Sequence, residues 1–320
     1  MAEKEKTAGL SFMNVAVSKP PARRRLPLPD GEISYLEWGT SDEGKTPLHF
    51  AHANGFNGQT YSRILSRLAD DFHIRAWDAR GHGATTLTAD PARHRNWYVY
   101  RDDLIAMAED FVKATGQKII LAGHSMGGAA SVMAASARPD LVRGLVLIDP
   151  VMTPASFRLI MALYKLTGRK GGPMSLADGA EKRRAVFADR QTMVERYLGR
   201  GAFRTWPREF IEDYVEGGTR IRDDGQAELL CAPTWEAANF RAHGHNMTRA
   251  VRDLHVPFAL LYAEQGSTCR TPFPMLMKRR DPKAHVAQVP GSTHFLPMEF
   301  PDLVVQEIRG FKARMEAEGR

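Results

Sequence analysis

Five residues, Gly123-His124-Ser125-Met126-Gly127, have the types and spacing of a nucleophile held on a sharp turn. A serine hydroxyl attacks a carbonyl carbon only when a base takes its proton and donors stabilise the oxyanion that forms. The flanking sequence suits that chemistry. Apolar Lys118–Ala122 reads as a strand before the turn, and a small-residue run to Ala137 reads as a helix after it. Glycines on either side remove Cβ atoms that would collide. The turn lifts the Ser125 hydroxyl clear of a sheet and sets it at a helix N-terminus, where free N–H groups and the helix dipole favour developing negative charge. Acyl transfer then requires a base, an acid that orients the base, and oxyanion donors.

The elements that must position these parts alternate along the chain. Ile33–Trp38, Pro47–Ala51, His73–Trp77, Lys118–Ala122, Leu145–Ile148, Pro257–Tyr262 and His285–Val289 read as strands. Thr60–Ala69, Trp97–Thr115, the run to Ala137, Pro274–Arg280 and Asp302 to about Glu316 read as helices. Buried strands alternating with helices predict an α/β fold: a mostly parallel central sheet with helices on both faces. Alternation stops over residues 151–255, which read as several helices inserted between strands as a helical cap above the end of the sheet where ligands bind. The expected organisation is a basic, flexible arm over residues 1–29, a core over 30–150 and 256–320, and the cap between.

Several motifs occur in order: HANGFNG at 52–58, DARGHG at 78–83, GHSMGG at 123–128, LVLIDP at 145–150 and GSTHF at 291–295. On these the chain, from about Leu28 to Phe311, resembles the α/β-hydrolase fold superfamily, and in particular its capped, serine esterase- and lipase-like members. The motifs are specific for the fold and much less so for the substrate.

The resemblance implies roles. His294, just past the last strand, is where the superfamily carries its catalytic base. One oxyanion donor is the backbone N–H of Met126, the residue after the serine. The other comes from the HANGF loop, where alignment selects Asn54 and the extra residue before Gly58 leaves Gly55 or Phe56 open. The acid departs from the commonest pattern: most relatives place an aspartate after the strand that here is PFALLY, and Gly266 or Ser267 falls there. Two carboxylates are candidates, Asp149 after LVLI, which is preferred, and Glu264 at the end of PFALLY. Among the other histidines, His124 reads as the variable position of the turn, His82 as structural, His52 as holding its loop, and His243 and His245 as solvent-facing.

The cap carries Trp206, Phe210, Tyr214, Trp235 and Phe240, with Met152, Phe157, Met161 and Tyr164 at its entrance. Most should pack the cap. Phe56, Trp206, Tyr214 and Trp235 are the candidates for lining an apolar substrate cleft over Ser125.

The net charge of +7 raises the question of an anionic partner. Residues 1–30 hold six basic and three acidic side chains, residues 151–255 hold 17 and 13, and the remainder 21 of each, so the excess belongs to the arm and the cap. No zinc-ligand spacing, RNA-binding signature or concentrated basic helix supports nucleic-acid binding, and GHSMGG is not a dinucleotide fingerprint. Neither a metal nor a cofactor is expected, nor a membrane span. Two cysteines, Cys231 and Cys269, make no disulfide framework, and the start lacks the apolar core of a secretory signal, so a cytoplasmic protein is expected. A homo-oligomer stays open. The expected function is a serine hydrolase that cleaves a small-molecule carboxylic ester through an acyl-enzyme on Ser125. A lactonase, thioesterase or carbon–carbon bond hydrolase is the alternative. A non-catalytic ligand-binding or sensing protein on the same fold is the alternative of another class, motivated by the absent late aspartate. Serine at the turn argues against dehalogenases and epoxide hydrolases, whose members carry aspartate there.

Overall fold

Apolar residues that alternate within each short strand must face opposite ways, and the sheet is built from that constraint. In strand β5 (Ile119–His124), Ile119 and Leu121 enter the core on one face of the sheet, while Ile120 and Ala122 enter the core on the other. In β6 (Val142–Ile148), Leu145 and Leu147 divide from Val146 and Ile148 in the same way. A strand buried on both faces needs helices above and below it.

The computed structural model describes residues 20–154 and 175–319. In chain order the sheet begins with β1 (Ala22–Leu28), β2 (Gly31–Trp38), β3 (Thr46–Ala51) and β4 (Phe72–Trp77), continues through β5 and β6, and ends with β10 (Phe258–Gln265) and β11 (His285–Thr293). The eight strands lie in the order β1-β2-β4-β3-β5-β6-β10-β11. The β1–β2 and β2–β4 pairs are antiparallel, and the pairs from β4 through β3, β5, β6 and β10 to β11 are parallel. Helices α1 (Ser62–Leu65), α2 (Tyr98–Thr115) and α3 (Met126–Ala137) fall between the early strands. The expected helix over Thr60–Ala69 is broken into 3-10 turns flanking the short α1, yet Tyr61, Ile64, Leu65 and Leu68 still share one fully buried face.

The arm is corrected over part of its length. Residues 22–28 are not flexible but form β1, an edge strand in antiparallel register with β2. The Arg23 guanidinium reaches inward to Asp78 at 2.8 Å and Ser34 at 2.7 Å. Asp78 is buried, and a buried carboxylate needs such a partner. Proline and arginine composition suggested disorder, but Pro27 is tolerated at an edge position, where a missing N–H breaks no ladder. Residues 1–19 lie outside the described residues.

After residue 154, the segment between β6 and β10 is described again from residue 175. It holds α4 (Ser175–Glu181), α5 (Arg190–Tyr197), α6 (Arg208–Gly218), α7 (Pro233–Arg241) and α8 (Met247–Arg252). It also holds what the sequence did not suggest, an antiparallel sheet of β7 (Val186–Phe187), β9 (Ala227–Leu229) and β8 (Thr219–Ile221). Strands of two or three residues are too short to show a period of two. Helix α6 packs on the 3-10 turn at Gly58–Tyr61, and α7 is hydrogen-bonded to the loop after β3. Phe157, Met161 and Tyr164 lie outside the described residues. Helices α9 (Phe273–Arg280), α10 (Leu296–Glu299) and α11 (Pro301–Ala317) complete the chain. Among the described residues no helix is long and apolar enough to cross a membrane.

Candidate active site

The C-terminal ends of β3, β5, β6 and β11 converge on one point. Ser125, between β5 and α3, has φ 56° and ψ −117°, a conformation that costs a side-chain-bearing residue about 1–3 kcal/mol and persists only where its surroundings enforce it. They do so by close approach. A Cβ at Gly123 would lie 2.6 Å from the Gly127 carbonyl carbon, and one at Gly127 would lie 2.1 Å from the Ala51 oxygen. The two glycines of the motif let α3 start directly against β3 and β5.

The loop after β11 brings His294 over the turn, with Nε2 3.0 Å from Ser125 Oγ. Its other ring nitrogen, Nδ1, lies 2.6 Å from Asp149 Oδ2. Asp149 follows β6, is fully buried and sits at φ 40°, a second strained residue at the same sheet edge. Its carboxylate is saturated with donors. Oδ1 accepts from Ala263 N–H at 2.9 Å and Ser267 Oγ at 2.5 Å, and Oδ2 also accepts from Thr268 N–H at 3.0 Å. Burial opposes the charge, but the bonds from His294, Ser267 and Ala263 outweigh it and hold the carboxyl below the usual carboxylate range. Ser267, one of the two residues standing where most relatives carry the acid, here donates to an acid supplied by the neighbouring strand. Glu264 is not at the His294 ring. It is exposed, and its Oε2 accepts from Gly291 N–H at 2.8 Å. The carboxylate pairs with the backbone of the turn leading to His294 rather than with its ring.

The loop after β3 is held by two neutral histidines, both pushed down by burial, His52 to about 4 and His82 to about 3. His52 Nδ1–H donates to Ala53 O at 2.7 Å, and its Nε2 accepts from Ala79 N–H at 2.9 Å. His82 Nε2 accepts from Gly55 N–H at 3.0 Å. The Asn54 side chain is clamped from the other side: Nδ2 donates to Glu236 O at 3.1 Å, and Oδ1 accepts from Asn239 Nδ2 at 2.9 Å. The backbone N–H groups of Asn54 and Met126 donate to no group among the described residues. Gly55 and Phe56, the alternatives to Asn54, have theirs engaged by His82 and by Ala53 O.

Of the four candidate lining residues, three cluster at the site. The Phe56 ring centroid lies 5.2 Å from that of Trp206 and 5.6 Å from that of Tyr214. Phe295, which the sequence pattern does not single out although it adjoins His294, stacks 6.4 Å from Phe56 and closes the wall. Tyr214 presents its ring only, because its hydroxyl is bonded to Arg183. Trp235 is elsewhere. Its indole N–H donates to Arg80 O at 3.0 Å, and its ring lies against His94 and Gly81, where a Cβ would collide with it. The expectation of solvent-facing cap histidines fails for His245, which is buried and stacked 4.7 Å from Trp97. Among the described residues of the segment between β6 and β10, Arg183 pairs with Glu236, Arg220 with Glu228 and Arg241 with Glu181. Among the described residues no cluster of three or more His, Cys, Asp or Glu side chains is placed to hold a metal ion.

The comparisons with known proteins bear on the family and the fold. The model of the alpha/beta hydrolase family matches residues 50–307, and the chain belongs to that family. Over 281 residues it is 28% identical to a 2-(acetamidomethylene)succinate hydrolase of Mesorhizobium japonicum, which covers 88% of this chain and 93% of that protein. Over 288 residues it is 28% identical to the 2-heptyl-3-hydroxy-4-quinolone dioxygenase AqdC2 of Rhodococcus erythropolis, covering 87% and 94%. A crystal structure of E-2-(acetamidomethylene)succinate hydrolase superposes with a TM-score of 0.71 at 24% identity, over 92% of this chain and 99% of that one, a likeness of fold. Relatives of nearly full length thus carry different reactions on this fold, and the reaction must be argued from the site.

Proposed function

We propose that the protein is a serine hydrolase that cleaves a carboxylic ester of a small molecule. The observation that carries this reading is the His294 ring, with one nitrogen 3.0 Å from Ser125 Oγ and the other 2.6 Å from Asp149. Asp149 holds Nδ1–H, so Nε2 is the lone-pair nitrogen facing the hydroxyl. Ser125 Oγ attacks the carbonyl carbon as its proton passes to Nε2. The oxyanion takes hydrogen bonds from the N–H groups of Met126 and Asn54. The imidazolium, stabilised by the Asp149 charge, returns the proton to the leaving alcohol. Water, deprotonated by His294, then releases the acid and regenerates Ser125. The described segment from residue 175 to 255 acts as a cap, and Phe56, Trp206, Tyr214 and Phe295 supply an apolar wall for the acyl or alcohol part. The hydrolase relative supports hydrolysis as the reaction class. Asp149 beside His294 Nδ1 supports the catalytic reading over a non-catalytic one, whose motive was the missing late acid.

The test uses p-nitrophenyl acetate and butyrate with a fluorophosphonate label. The wild type should turn over at least one ester and take up the label at Ser125. Ser125→Ala should lose the label and about 10³-fold or more in kcat. A wild type that neither turns over an ester nor labels overturns the reading.

A further inference from the structure

Three hydrogen bonds beneath the site run in one direction. The His294 carbonyl can only accept, so His124 Nε2, 2.8 Å away, carries a hydrogen. The His124 ring is buried and neutral, its protonation pushed down to about 3 by burial and by the neighbouring His294 ring. Its Nδ1 therefore has only a lone pair, and the Tyr61 hydroxyl 2.7 Å away donates to it. The Tyr61 oxygen accepts in turn from Ala53 N–H at 3.3 Å. The chain from Ala53 through Tyr61 and His124 to His294 cannot run backwards, because its first member only donates and its last only accepts. Phe56, Tyr61 and His294 face the His124 ring at 6.2, 6.0 and 5.0 Å and hold its plane.

The two ends of this chain are the loop that carries Asn54 and the loop that carries the imidazole on Ser125. We propose that His124, acting with Tyr61, is a positioning residue that fixes the His294 loop relative to the Ala53–Asn54 loop. The inference rests on the roles proposed above for those loops. The carbonyl held by His124 belongs to the same residue as the ring that faces Ser125 Oγ, so slack in this bond passes directly to the base. A misplacement of about 1 Å at a reacting group costs about 10²-fold in rate. The variable position of the serine turn thereby becomes a tie between base and oxyanion donors.

Two isosteric halves of the imidazole separate the bonds. Asparagine at 124 keeps an acceptor near Nδ1 for Tyr61 but is too short to reach the His294 carbonyl. Glutamine places an amide N–H near Nε2 and keeps that bond. With p-nitrophenyl acetate, His124→Asn should lower kcat by about 30- to 100-fold with KM within about threefold, whereas Tyr61→Phe and His124→Gln, which each break the Tyr61–His124 bond and keep the bond to the His294 carbonyl, should lower it by about tenfold or less. Melting temperatures are measured alongside, and Tyr61→Phe, which keeps the packed ring, serves if position 124 folds poorly. A second readout needs no turnover. In a Ser125→Ala background, the proton resonance of the His294 Nδ1–H bonded to Asp149 should move on His124→Asn and hardly on His124→Gln. Equal losses for asparagine and glutamine, or kcat within twofold of wild type for both His124→Asn and Tyr61→Phe, overturn the proposal while leaving a serine hydrolase intact. An inert wild type whose His294 resonance still follows this order overturns the hydrolase reading and keeps the tie.

Discussion

Replacing Asp149 by asparagine changes one atom, and the structure says what that atom meets. Oδ1 faces two donors, the Ala263 N–H and the Ser267 hydroxyl, and Oδ2 faces the Thr268 N–H and the His294 Nδ1–H. An asparagine NH2 in the Oδ1 place points at the Ala263 N–H, which cannot reverse. In the Oδ2 place it points at the Thr268 N–H and drives His294 into the tautomer with its hydrogen on Nε2, facing Ser125. The first arrangement leaves a buried unsatisfied donor pair at about 1–3 kcal/mol, and the second has the same cost plus a base that cannot accept a proton. Neither keeps the full charge that stabilises the imidazolium. Loss of that acid function is expected to lower kcat by about 10⁴-fold, or about 5 kcal/mol of transition-state stabilisation. Glu264→Gln is the matched control, because its amide oxygen can still accept from Gly291 N–H and kcat should stay within about twofold. The assay is steady-state hydrolysis of p-nitrophenyl butyrate with thermal melting of each variant. Asp149→Asn within about tenfold of wild type, where a tautomer-holding acid gives far more, refutes the reasoning, as does Glu264→Gln matching its loss.

Acid should unfold the protein early. Burial pushes His49, His82 and His124 down to about 3 and His52 to about 4, so between their ordinary value near 6.5 and those values the unfolded chain binds more protons than the folded one. Stability is then lost as pH falls, at roughly 1 kcal/mol per pH unit for each histidine. Asp213, pushed up to about 7 by burial against the pull of Arg63, contributes with the opposite sign and cancels about one of them. Urea midpoints should drop steadily from pH 6.5 to 5, above the range where ordinary carboxylates titrate, and a flat profile there contradicts the assignment of neutral buried rings. Gly127→Ala forces a Cβ to within 2.1 Å of the Ala51 carbonyl oxygen, which is backbone and cannot step aside. It should cost about 3 kcal/mol or more and lower the melting temperature by at least about 5 °C. Gly179→Ala, in α4 with open space around it, should be neutral or raise stability by about 0.5–1 kcal/mol. Equal melting temperatures for the two variants would refute the packing argument.

What was legible in the sequence follows the distance over which each constraint acts. The glycines around Ser125, the apolar strand before it and the small helix after it are local, because one turn must satisfy them all. The core strands were legible for the same reason, each being a run of residues that must be buried on both faces. The acid was not. Asp149 and His294 are separated by 145 positions, and the choice between Asp149 and Glu264 turns on where Ser267 and Thr268 send their donors. Read alone, those two residues are an ordinary polar loop. Trp235 and His245 were misread because an aromatic ring or an imidazole in a segment of mixed charge looks the same whether it meets a substrate, solvent or Gly81 and Trp97.

His124 shows the limit most plainly. The motif marks its position as free, since the turn and the nucleophile need nothing from that side chain. Its partners, Tyr61 and His294, are 63 and 170 positions away. Only the assembled sheet shows that the side chain of the residue before the serine points beneath the turn, between the two loops the chemistry must hold in register. A position that local turn geometry leaves unconstrained is thus constrained by two loops at once. For that reason its substitution should be read in kcat and in the His294 resonance rather than in stability alone.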